Sequence, residues 1–180
     1  STASSETGRE NAWLVKLDSD GTPQWVKTFE QESNTAPDTL LALSDGGFLL
    51  VGHSVSPTSR DSNAWLVKVD AEGNRIWEKT YGGPHSDSAF DALETKDRQL
   101  LVAGFTNSAG NGASDGWLLR LTPDGALVEE KTFGGAADDN FFSLTPAAEH
   151  QYLLIGGTYS KGAGDNDIWI LKLSDRPDGN

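Results

Sequence analysis

Apolar residues in this chain come in short runs, separated by polar, Gly-rich stretches, and the runs alternate with the two-residue period of a strand. In Trp65-Leu-Val-Lys-Val69, Trp65, Val67 and Val69 point one way while Leu66 and Lys68 point the other. The same phrase recurs as Asn11-Ala-Trp-Leu-Val-Lys-Leu-Asp18, Asn63-Ala-Trp-Leu-Val-Lys-Val-Asp70, Asp115-Gly-Trp-Leu-Leu-Arg-Leu-Thr122 and Asp167-Ile-Trp-Ile-Leu-Lys-Leu-Ser174. Its tryptophans, Trp13, Trp65, Trp117 and Trp169, follow one another at a constant interval of 52 residues. A fixed period of this size marks a solenoid, a propeller or an array.

One repeat, residues 87 to 133, predicts four strands, lettered a to d. Ala89–Thr95 is a and Gln99–Gly104 is b; a polar loop up to Asp115 precedes c, Trp117–Leu121. A Pro123-Asp-Gly125 turn leads to d, Leu127–Phe133, and Gly134-Gly135 restarts the pattern. Four short strands with turn signals between them match a propeller blade. Both faces of strand c carry apolar residues, as a sheet packed between neighbouring sheets requires. Gly52, Gly104 and Gly156 end strand b, where the chain packs closely or φ is unusual. The expected fold is all-β: a β-propeller of 52-residue, four-stranded antiparallel blades, its ring incomplete within one chain.

The best copy of the phrase, Asn63 to Gly83 continuing through Asp87 and Gly104-Phe-Thr-Asn-Ser108, resembles the bacterial secreted β-propeller repeat of the SBBP type. The resemblance covers essentially the whole chain and implies a secreted or cell-surface bacterial protein, often one without an assigned activity. The first repeat departs from the pattern: Glu30-Gln31 replace Gly-Gly and Thr35 replaces Asp. That departure argues against a ligand site repeated identically in every blade.

Thr2-Ala-Ser4 aligns with Ser54-Val-Ser56, Thr106-Asn-Ser108 and Thr158-Tyr-Ser160, so the expected start falls just after a strand b. The expected organisation is a partial blade of strands c and d at 1–36, blades at 37–86 and 87–137, and a partial blade of a, b and c at 138–180. A start at Ser1 and the absence of Met fit a processed or excised segment. Unpaired strand edges call for a partner, either further copies of the chain, as a closed ring or a filament, or the remainder of a longer propeller.

The net charge of −13, from 14 basic and 27 acidic residues, argues against nucleic acid and anionic membranes as partners. No apolar run approaches the roughly 18 residues of a membrane-spanning helix. Absence of Cys removes disulfides and thiol chemistry. His53, His85 and His150 fall at unrelated repeat positions and predict no metal centre. Lys16, Lys68, Arg120 and Lys172 share one position; their stems are expected between blades with the charge on an acidic neighbour. Trp25 and Trp77, replaced by Glu129 in the next repeat, are expected to cover a blade edge, with sugar stacking as the alternative. Turns beginning at Asp18 and Asp70 lack the ligand spacing of a calcium loop and read as hairpins.

The d–a and b–c loops lie on one face of a propeller. They carry the candidate binding residues Asp87, Asn107, Asp115, Asp139, Asn140, Asp165 and Asp167, whose oxygens suit a hydroxyl-rich ligand or a calcium ion. The competing reading is that Asp and Asn fasten their own turns. Asp138, Asp139 and Asp165 offer carboxylate pairs for hydrolysis, but no catalytic spacing marks them. The expected function is therefore a non-enzymatic extracellular scaffold or interaction module, without a cofactor, that self-associates through its end blades. The alternative is a propeller binding a glycan or surface polymer through the acidic loops, with calcium as an optional companion.

Overall fold

The computed structural model describes residues 2–3, 10–29 and 34–174, and among them the alternating runs form fourteen β-strands and no helix. The chain divides into two compact units between Ser88 and Ala89. The first holds a three-stranded sheet, β1 (Thr2–Ala3), β2 (Glu10–Leu17) and β3 (Pro23–Phe29). It also holds a four-stranded sheet of β4 (Asn34–Ala42), β5 (Phe48–Val55), β6 (Ser62–Val69) and β7 (Arg75–Tyr81). The four-stranded sheet β8 (Asp87–Glu94), β9 (Leu100–Thr106), β10 (Asp115–Leu121) and β11 (Leu127–Phe133) lies in the second unit apart from the first two residues of β8. That unit ends with the three-stranded sheet β12 (Asp139–Ala148), β13 (Gln151–Thr158) and β14 (Asp167–Ser174). In each sheet the strands lie in chain order. The all-β, four-stranded antiparallel blade is therefore present twice in full.

Strand b runs two residues beyond the expected glycine, because its ladder with strand c continues to Thr106↔Asp115 and Thr158↔Asp167. Thr2↔Asn11 has the same register as Ser54↔Asn63, so β1 is the end of a strand b that the sequence reading left out. Strand a likewise begins earlier than expected, at Asn34, Asp87 and Asp139.

The glycine that faces the tryptophan of strand c has a steric cause. Gly52 pairs with Trp65 and Gly156 with Trp169. A Cβ at Gly52 would lie 2.0 Å from the Ala36 carbonyl oxygen, and at Gly156 1.8 Å from that of Asn140. Strand a carries a bulge just beyond each carbonyl, at Pro37/Thr39 and Phe141/Ser143, and an edge strand with a bulge is where Pro37 is tolerated.

Burial follows strand position. Ala64–Val69 of β6 are all buried, as are all of β10 but Arg120, whereas β11 is almost wholly exposed. In the first unit Ala12, Phe29, Leu50, Trp65, Val67 and Val69 form one core. In the second, Leu101, Ala103 and Leu118 pack against Phe141, Leu144, Leu154 and Trp169 of the next sheet. In each unit one face of strand c is thus packed against the neighbouring sheet, and burial of that apolar area holds the two sheets together.

Candidate functional site

In the two complete blades, two repeat positions place side-chain oxygens beside the glycine that follows strand d. The first opens strand c, at Asn11, Asn63, Asp115 and Asp167; the second opens strand a, at Thr35, Asp87 and Asp139. A Cβ on Gly134 would lie 2.1 Å from Asp115 Oδ1 and 2.7 Å from Asp139 Oδ2. A Cβ on Gly82 would lie 2.2 Å from Asn63 Oδ1 and 2.4 Å from Asp87 Oδ2. Only glycine leaves room for two polar side chains to close over the backbone here.

The carboxylates hold the loops by accepting backbone N–H groups. Asp115 Oδ2 accepts from Asn111 at 2.9 Å and Gly112 at 3.0 Å. Asp139 Oδ2 accepts from Gly135 at 2.8 Å, and its Oδ1 accepts the Thr158 hydroxyl. Asp87 Oδ2 accepts from Gly83 at 2.8 Å and Asp167 Oδ2 from Ala163 at 3.1 Å. Burial works against ionisation of Asp139, but hydrogen bonds from Ser160, Thr158 and Gly135 outweigh it and hold this carboxyl below the ordinary range. A group held ionised in this way cannot serve as a general acid near neutral pH.

The expected site residues separate into two sets. Asp87, Asp115 and Asp139 are buried, and Asp115 converges with Asp139 over Gly134. Asn140 is half-buried and its Oδ1 accepts from the Gly157 N–H at 3.1 Å. Asp167 is half-buried, while Asn107 and Asp165 are exposed and are not brought into this cluster. The residues missed from sequence are Asn11, Asn63 and Thr35, whose Oδ1, Oδ1 and Oγ1 atoms are buried without a hydrogen-bond partner. The 52-residue offset that relates them to Asp115 and Asp139 was the available signal. Among the described residues no group of three or more His, Asp or Glu side chains is arranged to hold a metal ion.

Other candidates also have structural partners. Asp18 Oδ1 accepts from the N–H groups of Asp20 and Thr22, both at 2.9 Å, and Asp70 Oδ1 from those of Glu72 and Asn74. The side-chain bond from Asn74, then its backbone N–H, lowers the Asp70 pKa from its ordinary value. Lys68 Nζ meets Asp45 Oδ2 at 2.8 Å, and Arg120 lies 3.7 Å from Glu129 and 2.9 Å from Gln99 Oε1. The Trp25 ring lies over Gly73 and covers that hairpin. Trp65 and Trp117 donate their indole N–H groups to Glu78 at 2.6 Å and Glu130 at 2.7 Å, a strand c to strand d clasp that sequence reading did not identify. Hollows of the first unit lie away from the acidic loops; one of about 430 Å³ is lined by Lys27, Thr28, Phe29, Gly73, Asn74 and Arg75.

Residues 95–127 match the family described as a domain of unknown function (DUF5122) β-propeller. The tRNA wybutosine-synthesizing protein 4 of Aspergillus fumigatus is 30% identical over 163 residues, covering 88% of this chain and 15% of that protein. The chain thus spans a small fraction of the length of the curated relative it matches. Strand order, repeat period and the family match agree on a β-propeller-type repeat.

Proposed function

We propose that this chain is a non-catalytic scaffold or interaction segment, exported to the cell exterior or surface, whose end blades engage further blades of the same kind. One comparison carries the reading. Trp65 is 1% exposed and Trp13, at the same repeat position, is 51% exposed. Burial of a tryptophan contributes several kcal/mol at a well-packed contact, so the uncovered Trp13 face favours a covering sheet. The export assignment rests on the resemblance to secreted bacterial repeats.

The acidic loops support this reading more than a glycan site, because their buried carboxylates already accept backbone N–H groups. The likeness to a tRNA-modifying protein is read as a shared propeller part, since it takes in 15% of that protein. A net charge of −13 is also unsuited to a polyanion.

Light scattering after size exclusion tests the proposal, on the chain and on Trp13→Asp. A discrete dimer or an extended polymer that Trp13→Asp reduces to monomer is expected. A monomer at all concentrations, or assembly indifferent to Trp13, overturns it. A reproducible glycan-array hit that depends on Asn107 or Asp165 would move the glycan reading ahead.

A further inference from the structure

The hollow of about 430 Å³ in the first unit gathers charge of the sign this chain is short of. It takes Lys27 and Thr28 from β3, Gly73 and Asn74 from the turn before β7, and Arg75 from the start of β7. A second hollow, of about 510 Å³, shares Arg75 and adds Lys79 and Thr80. The whole chain has 14 basic residues against 27 acidic ones.

The repeats differ in what they set beside the strand d lysine. Lys27, Lys79 and Lys131 share one repeat position, and two residues before them stand Trp25, Trp77 and Glu129. Glu129 meets Lys131 Nζ at 2.7 Å. Lys27 has no such carboxylate: it donates to the neutral Asn74 Oδ1 at 2.9 Å, and among the described residues no ion pair includes it. The Asp70 carboxylate is taken up by the Asn74 side-chain and backbone N–H groups, at 3.0 and 2.7 Å.

Asn74 and Arg75 are not requirements of the blade. One repeat earlier the same positions hold Thr22 and Pro23, and one repeat later Ala126 and Leu127. Both cations are nonetheless held in place. A Cβ at Gly73 would lie 3.0 Å from Lys27 Cγ and 2.8 Å from the Trp25 ring, so the lysine stem packs on bare backbone. Arg75 Nη1 donates to Glu78 Oε2, while Glu78 Oε1 receives the Trp65 indole N–H. That clasp fixes the guanidinium and leaves its other N–H groups directed at a ligand.

We infer that this hollow is a binding site for an anionic sugar, its carboxylate or phosphate held by Lys27 and Arg75 and its ring hydroxyls by Thr28 and Asn74. Charge-assisted bonds from two fixed cations fit an oxyanion, and the volume lies in the range of small-ligand sites. The net charge of −13 repels a long polyanion, whereas a single oxyanion meets the two cations at contact distance, where their attraction dominates. The site goes beyond the scaffold reading and does not depend on it.

The probes are glucuronate, glucose 6-phosphate and glucose, titrated into the full chain and read by saturation-transfer NMR of the sugar protons, which serves monomer and assembly alike. Saturable binding of at least one anionic sugar is expected, about tenfold tighter than glucose, and the sugar that binds identifies the charged group. Lys27→Gln should weaken it about tenfold. So should the double variant Asn74→Ala/Arg75→Leu, which installs the pair the next repeat carries at these positions and so keeps the hairpin. No saturable binding of either anionic sugar up to roughly 10 mM overturns the inference. Equal affinity for glucose, displacement by equimolar inorganic phosphate, or variants that bind like the wild type overturn it too.

Discussion

Replacing Asp139 by Asn tests whether the buried carboxylates are loop fasteners. The side chain is buried and receives hydrogen bonds from the Gly135 N–H, the Thr158 hydroxyl and Ser160. Asn keeps the shape but removes the charge. The Thr158 hydroxyl can turn to accept from the new amide, whereas the Gly135 N–H must still find an oxygen. Hydrogen bonds to a charged group contribute about 1.5–3 kcal/mol and neutral ones about 1, so several bonds weaken together. Relief from burying a charge offsets part of that loss, leaving a destabilisation of about 2 kcal/mol at pH 7. The pH dependence gives the sign. The folded carboxyl titrates below its ordinary value of 3.8, so its extra stability is present above that value and is lost as pH falls through the lower folded one. Urea unfolding at pH 7, 5 and 2.5 should therefore show a wild-type advantage that is equal at the first two and shrinks at the third. An advantage under about 0.5 kcal/mol at pH 7, the range of an ordinary surface substitution, would refute the fastening role. One that persists undiminished at pH 2.5 would refute its electrostatic origin.

Asp115→Asn reproduces at Gly134 the Asn–Asp arrangement found at Gly82, and should cost less than about 1 kcal/mol by the same unfolding assay. Gly156→Ala places a Cβ 1.8 Å from a backbone oxygen and should destabilise by at least about 3 kcal/mol, while Gly164→Ala, with open space around it, should stay within about 0.5. Trp65→Ala should cost about 3–5 kcal/mol by urea unfolding, and Trp13→Ala in the monomer under about 1, because only the first ring is buried. Gly46, Arg98 and His150 share one turn position, with φ of 87°, 66° and 53°. Gly46→Val should therefore destabilise by about 1–2 kcal/mol in thermal melts, whereas Arg98→Gly should be neutral or mildly stabilising.

Blade architecture was legible because its signals are local. Strand alternation, hairpin turns and the 52-residue interval can be read within a few dozen residues, and β11 matches its expected bounds, Leu127–Phe133. Strand ends were less legible: Thr106 and Asp115 pair across a loop whose composition looks the same whether or not the ladder continues. Among the site residues, chemical type was visible and direction was not. In sequence Asp139 and Asp165 both read as loop aspartates, yet Asp139 opens β12 and is buried against Gly135 and Thr158, while Asp165 is exposed.

The sequence by itself determined the repeated unit, because a two-residue side-chain period and turn-forming residues constrain the backbone locally. Tertiary structure alone decided which members of each repeat position are equivalent in environment. Trp13, Trp65 and Trp169 are the same residue in nearly the same phrase, but one is half exposed, one is clasped to Glu78 and one is bonded to the Asn140 carbonyl. Burial and hydrogen-bond partners come from the strands and blades packed alongside, and a repeat carries no record of whether its neighbour is there.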